Sequence, residues 1–420
     1  MRRFLFLPFL LLTYIISSAQ IVCSTAQYRQ QFLLNNPGLA SKVAAIETFT
    51  QNFQKGKVYG VLGENPSSNL SSIITIPVVV HVLYNSSQQN ISDAQIISQI
   101  NILNQDYRRL NADTIQTPSV FQPVAADCGF QFALAKVDTG GYATTGIVRK
   151  HTSIQQFGIN DAIKFSSMGG DDAWDKDRYL NIWVGALTNG ILGYSSVVGC
   201  PAANDGVVVL YTAFGTGGTA TAPYNKGRTT THEIGHWLNL IHTWGDADCG
   251  DDHVADTPPQ EAADYGCPSG IIISCNNAPT GNMYSNYMDF TNDACMNLFT
   301  YGQQSRMLAL FQPGGERYAI LSSDVLTATP LPSPVSTTES INGRIYVYPN
   351  PAADMVTVQL SNNIDIGSSL EIYNQVGQKV ISTIVTQSQF QLNTSSLSKG
   401  IYYIKVNDGQ SKLMTKLLKL

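Results

Sequence analysis

Three imidazoles and one carboxylate crowd into a single short run of this chain, Thr231-His232-Glu233-Ile234-Gly235-His236-Trp237-Leu238-Asn239-Leu240-Ile241-His242. On a helix, His232 and His236 project from one face a turn apart and can share a metal ion through two ring nitrogens. Glu233 can reach a water on that ion without becoming a ligand. His242 lies too far along to share the helix face, so the chain must stop and reverse between His236 and His242. Asn239 stands where that reversal asks for a positive φ, which asparagine tolerates best after glycine. Three neutral imidazoles leave one position of a tetrahedral zinc ion for water, whose pKa the metal lowers toward neutrality. Glu233 would take that water's proton as hydroxide attacks a carbonyl and would pass it to the leaving group. The spacing predicts hydrolysis on zinc, with His232, His236 and His242 as ligands and Glu233 as general base.

The elements that must position this run are legible on both sides of it. Ile73 to Tyr84 is β-branched and apolar, as a central strand is, and Ser92 opens a helix in which Ile96, Ile100, Leu103 and Tyr107 share a face. Phe130, Phe132 and Leu134 alternate with smaller or polar residues, as do Leu180, Ile182 and Val184, and Val207 to Tyr211 adds another strand. Beyond residue 245, Gly, Asp, Pro and Cys dominate to about residue 282, so an irregular lobe held by disulfides is expected before a closing helix from Tyr301 to Phe311. The fold class is α/β (α+β): a mixed sheet, a zinc helix and an irregular C-terminal lobe.

The 420 residues leave room for a second domain and processing segments. Arg2 and Arg3 precede an apolar run from Phe4 to Ile16 and the small residues Ser17-Ser18-Ala19, the pattern of a signal peptide over residues 1–19. That run is too short to span a bilayer, and no later segment is long and apolar enough for a transmembrane helix. Gln20-Ile21-Val22 before Cys23 lacks the small residues that lipoprotein processing wants. Residues 20–60 carry a helical pattern and end at an exposed basic site, Gln54-Lys55-Gly56-Lys57, as a removable propeptide would. A metal-dependent domain is expected over 61–320, a Pro/Ser/Thr-rich linker over 321–343, and short strands separated by turns over 344–420, which favour a small β-sandwich. The charged share is only 13%, about half the usual one, and the net charge of −5 argues against nucleic acid as a partner. Seven cysteines in an exported chain are expected to be mostly paired; the six after Cys23 allow 15 connectivities.

The histidine run followed by Thr243-Trp244-Gly245-Asp246 resembles the pappalysin (ulilysin-like) family of metzincin zinc metalloproteases, over roughly residues 70–315. Ser285-Asn286-Tyr287-Met288-Asp289-Phe290 resembles that family's Met-turn, which implies Met288 as an apolar floor beneath the ligands. The resemblance further implies the disulfides Cys249–Cys275 and Cys267–Cys295. Asn239 departs from the glycine usual at its position, and Phe290 stands where relatives often carry tyrosine. Leu192-Gly193-Tyr194 resembles the edge-strand segment that pairs with substrate, a plain hairpin being the other reading. Cys23-Ser24-Thr25 resembles the propeptide cysteine switch, in which a thiolate occupies the zinc until the propeptide is cut away. Asp246, Asp248, Asp251, Asp252 and Asp256 crowd the irregular lobe, and relatives bind structural calcium there; a solvated acidic loop is the alternative. Asp293 falls near the expected S1′ wall.

Residues 344–420 resemble the C-terminal sorting domain of the type IX secretion system, through Tyr348-Pro349-Asn350-Pro351, Ile372-Tyr373-Asn374-Gln375-Val376-Gly377, Leu397-Ser398-Lys399-Gly400-Ile401-Tyr402 and the basic tail Lys412 to Leu420. The combined expectation is a secreted or surface zinc endopeptidase of a Gram-negative bacterium. It would be made as a zymogen, act on proteins or peptides and be exported by the type IX machinery. The competing readings are a surface adhesin that retains a metal site without activity, and a zinc hydrolase acting on something other than peptides. An intact Glu233 opposes the first, since a binding module needs no general base.

Overall fold

The apolar run at Ile74–Tyr84 becomes the centre of a six-stranded sheet because both its faces are covered. Ile76, Val78, Val80 and Val82 enter the main core, whereas Val79 and Leu83 enter smaller cores on the other face. The computed structural model describes residues 23–56, 73–331, 345–360, 367–407 and 412–420. The expected signal peptide at 1–19 and the Lys57 end of the processing site lie outside the described residues.

In chain order the first compact unit begins with helices α1 (Thr25–Asn35) and α2 (Ala40–Gln54). Strand β1 (Ile74–Tyr84), helix α3 (Asp93–Asp106) and strands β2 (Phe130–Leu134), β3 (Ile147–His151), β4 (Leu180–Gly185), β5 (Gly193–Ser195) and β6 (Val207–Leu210) follow. Helix α4 (Arg228–Trp237), strands β7 (Tyr265–Gly266) and β8 (Phe290–Thr291) and helix α5 (Tyr301–Ala309) complete the elements used here. The strand order is β2-β1-β4-β6-β5, with β3 also on β1; every pair is parallel except β5 on β6. Gly193 and Tyr194 therefore enter an antiparallel edge strand, with Leu192 just before it, and Cys23 to Thr25 lie along the strand's outer edge. No helix among the described residues is long and apolar enough to cross a membrane.

Two expectations change. The helical pattern of residues 20–56 is broken at Asn36-Pro37, because proline disfavours helix in the residue before it. Residues 324–331, expected within the linker, lie on the first unit instead: Val325 is buried and its carbonyl accepts from the backbone of Lys136 and Val137.

The second compact unit holds β9 (Ile345–Tyr348), β10 (Met355–Leu360), β11 (Ser369–Asn374), β12 (Lys379–Ile384), β13 (Gln389–Asn393), β14 (Gly400–Asn407) and β15 (Lys412–Lys419). They form the sheets β13-β10-β9 and β12-β11-β14-β15, which share a core of residues such as Val356, Val358, Ile372 and Ile404.

Candidate active site

Helix α4 is buried at every residue, so its position is fixed by what surrounds it. The Thr231 hydroxyl donates to Asp106 Oδ2 at 2.7 Å and the Tyr107 hydroxyl donates to the Thr231 carbonyl at 2.9 Å, tying the helix to α3 and the residue after it. At its start, Asp293 Oδ2 accepts from the backbone amides of Lys226 (2.7 Å) and Arg228 (3.3 Å), so this buried carboxylate caps the helix entrance. Past its end, Asn239 takes φ 68° and the chain turns back to carry His242 to the other two histidines.

His232, His236 and His242 converge through Nε2, at 3.1 Å (His232 to His236), 3.2 Å (His232 to His242) and 3.0 Å (His236 to His242). Each Nδ1 is engaged elsewhere. Nδ1–H of His232 donates to the Tyr287 carbonyl at 2.7 Å, that of His236 to the Leu240 carbonyl at 2.9 Å, and that of His242 to Asp246 Oδ1. Carbonyl and carboxylate oxygens accept here, so each Nδ1 carries a proton and the three Nε2 atoms face one another, those of His232 and His236 as lone pairs. Burial, helped by the neighbouring His242, lowers His232 to about 3, and burial drives His236 well below its ordinary value, so both stay neutral. Facing lone pairs in a dry site repel unless a cation lies among them, and the donor set fits zinc.

Glu233 lies beside this cluster, fully buried, with Oε2 accepting from the Thr25 hydroxyl at 2.8 Å and Oε1 lacking a hydrogen-bond partner. Burial pushes its carboxyl up to about 8, against the lowering pull of Thr25 and Cys23. Gly193 makes room for it: a β-carbon there would lie 2.8 Å from Glu233 Cγ and 3.0 Å from the Val208 carbonyl. Beneath the helix a β-carbon at Gly235 would sit 2.5 Å from Met288 Sδ, so the glycine is what lets the sulfur approach. The turn that supplies Met288 also supplies the Tyr287 carbonyl to His232. Phe290 packs its ring edge-on to His242 at 4.9 Å, while Trp244 stacks on that imidazole at 4.3 Å and meets Phe290 at 4.8 Å.

Cys23 Sγ comes within 3.6 Å of His236 Nε2, joining the three histidines as a fourth convergent group. Its residue bridges Gly193 in parallel, the Ser24 amide donates to the Gly193 carbonyl at 3.0 Å, and the Ser195 amide donates to the Thr25 hydroxyl at 2.8 Å. Leu192 is buried with Cys23 and Phe290. The spacing gave no sign of the second hold, on α2: Arg306 donates to both Glu47 oxygens at 2.9 Å, and Asn239 Nδ2 donates to Glu47 Oε2 at 3.3 Å. A cavity of about 30 Å³ lies between the two holds, lined in part by Thr25, Glu47, His236, Asn239 and Asp246.

Cys249 pairs with Cys275 and Cys267 with Cys295; Cys23, Cys128 and Cys200 are free and buried. The acidic lobe divides its carboxylates. Asp246 orients His242, Asp252 accepts from the Thr257 hydroxyl, and Asp256 accepts from the Thr300 hydroxyl and the Gly302 amide at the start of α5. Asp251 pairs with His253, and Asp248 lies beside the Cys249–Cys275 bridge.

The peptidase M43 family profile, described as pregnancy-associated plasma protein-A, matches residues 166–312, and the secretion system C-terminal sorting domain matches residues 346–419. An extracellular metalloprotease of Arthroderma otae is 34% identical over 269 residues, covering 61% of this chain and 84% of the fungal protein. A promirolysin mutant from Tannerella forsythia is 44% identical with a TM-score of 0.60 or better (0.64), covering 71% of this chain and 97% of that one. Mature mirolysin from the same organism, solved with a cleaved peptide, is 50% identical with a TM-score of 0.60, over 61% of this chain and 99% of that one. These likenesses define the class, a zinc metalloendopeptidase. Within that class the chain belongs to peptidase family M43, the pappalysins, and it carries a type IX secretion sorting domain.

Proposed function

We propose that His232, His236 and His242 hold the catalytic zinc ion and that Glu233 is the general base with which the activated chain hydrolyses internal peptide bonds of proteins. The observation that carries this reading is the meeting of three Nε2 atoms at 3.0–3.2 Å with every Nδ1 already engaged. Bound there, zinc supplies Lewis acidity to a scissile carbonyl and acidity to an attacking water. Glu233 takes the water's proton through the unpartnered Oε1 and returns it to the leaving amine. Burial raises its proton affinity and a nearby cation lowers it, which suits a group that must both take and give a proton. Met288 supports the site from below, and the outer edge of β5 at Leu192-Gly193-Tyr194, once Cys23 to Thr25 have left it, pairs with an extended substrate.

The zymogen reading is supported by the likeness to promirolysin and by the place of Cys23 beside His236. Burial and the neighbouring Glu233 hold the Cys23 thiol well above its ordinary pKa, so a thiolate there depends on a cation at the histidines. The sorting domain supports export, after an N-terminal signal peptide, to the medium or cell surface. Activated protein should cleave casein, lose that activity with a chelator and regain it with zinc. Undiminished cleavage by metal-free protein would refute the reading.

A further inference from the structure

Tyr28 belongs to α1, yet it is only 2% exposed, because its ring enters a pocket of the catalytic unit. Tyr194 forms one wall, with ring centroids 5.0 Å apart, and the Lys164 ammonium sits 5.2 Å from the Tyr28 ring centre. At the bottom the Tyr28 hydroxyl donates to Asp161 Oδ2 at 2.6 Å. The remaining partners of Asp161 are fixed groups of the catalytic unit: Asn204 Nδ2 at 2.7 Å, the Tyr194 hydroxyl at 3.3 Å and Lys164 Nζ at 3.0 Å. Asp161 itself is held at φ 61°, a conformation that persists where the surroundings over-determine it. A cavity of about 230 Å³ adjoins the hydroxyl, between α1 and residues that include Ile159, Asp161 and Phe165.

The pocket lies on the face of the sheet opposite α4, one residue along β5 from the glycine that faces Glu233. Tyr194 follows Gly193 on β5, and Gly193 both receives the Ser24 amide and abuts Glu233. When α1 leaves, the walls contributed by Tyr194, Lys164, Asp161 and Asn204 remain on the catalytic unit.

We propose that the vacated pocket is a substrate subsite for a tyrosine side chain, placed within about three residues of the scissile bond by the strand rise along β5. The proposal rests on the reading of β5 as the strand that pairs with substrate. The chemistry selects tyrosine on two counts. Lys164 neutralises Asp161 and turns its ammonium toward the ring position, which favours an aromatic face and repels lysine or arginine. Phenylalanine would fill the same volume but leave Asp161 Oδ2 without its hydroxyl donor, and sites built to bind a hydroxyl reject the analogue that lacks it.

The test uses activated protein prepared from the full chain, with peptides that carry Tyr, Phe, Arg or Leu in turn at each position flanking one cleaved bond. At one position Tyr should exceed Phe in kcat/KM by roughly tenfold to a hundredfold, with Arg below Phe. Asp161→Asn, which keeps the shape and tolerates the same φ, should shrink the Tyr-to-Phe ratio several-fold. The wild-type ratio decides the matter even if the variant fails to fold. Equal cleavage of Tyr and Phe peptides at every position, in a chelator-sensitive reaction, would overturn the subsite and leave the zinc reading standing. So would an unchanged ratio in folded Asp161→Asn. Cleavage of no peptide, or cleavage indifferent to chelator, would overturn both.

Discussion

Two of the holds that the N-terminal segment keeps on the catalytic unit work by opposite physics. At one end Cys23 and Thr25 sit in a dry site against reacting groups, 3.6 Å from His236 Nε2 and 2.8 Å from Glu233 Oε2. At the other, α2 lays Glu47 across the Arg306 guanidinium in a two-pronged ion pair, and Arg306 also donates to the Asn239 carbonyl at 3.0 Å. In the proposed zymogen the first contact obstructs chemistry directly. The second touches no reacting atom and acts only by keeping the segment docked on the turn between His236 and His242. In the proposed zymogen, latency therefore has a chemical part and a mechanical part, and variants can separate them.

Cys23→Ala removes the chemical part. Freshly made full-length variant should show activity roughly a hundredfold above the wild-type proenzyme, the upper end of what changes around a metal site produce. Equal activation time courses would remove the cysteine from the account. Glu47→Gln should leave the metal-facing contact intact but loosen docking, so that trypsin cuts after Lys55 roughly fivefold to tenfold faster, as loss of a charge-assisted pair implies. An unchanged rate would show that the ion pair bears no load.

Acid sharpens the same contrast. Burial alone would raise the Glu47 carboxyl, but the hydrogen bonds and charge of Arg306, with His253 nearby, outweigh it and hold it at about 2 against an ordinary 4.5. A carboxylate with a depressed pKa contributes docking that is complete above about 4.5 and fades as the pH falls toward 2. The difference in trypsin sensitivity between wild type and Glu47→Gln should therefore be full at neutral pH and shrink across that interval. A difference independent of pH would contradict the assignment. The smallest effect is expected from ending the chain near residue 340. This removes none of the histidines, Glu233 or Met288, and activity in vitro should be unchanged. In the native host the same truncation should strand the enzyme in the periplasm, and normal export would mark residues 344–420 as a binding module.

The sequence announces what is local and hides what is distant. His232, Glu233, His236 and Asn239 were legible because helix periodicity and the turn requirement act within a few residues, and the structure gives Asn239 its positive φ. β1 was legible because burial on both faces leaves an unbroken apolar run. β3 was not, since Arg149, Lys150 and His151 lie on a strand paired along only one edge of β1. β12 and β13 carry little signal for a related reason: most of their side chains are exposed, so no apolar alternation marks them. The Tyr28–Asp161 and Glu47–Arg306 pairs join residues 133 and 259 positions apart, and nothing in the spacing of either partner predicts the other.

In the proposed mechanism Glu233 moves the proton while the three histidines hold the metal. The direct measurement compares activated wild type, Glu233→Ala and His236→Ala for both bound zinc and peptide cleavage. Glu233→Ala should keep its zinc and lose roughly a hundredfold to ten-thousandfold in rate, the range that general acid–base catalysis supplies, while His236→Ala should lose zinc and activity together. Cleavage of a good substrate by zinc-loaded Glu233→Ala at near wild-type rate would contradict this mechanism.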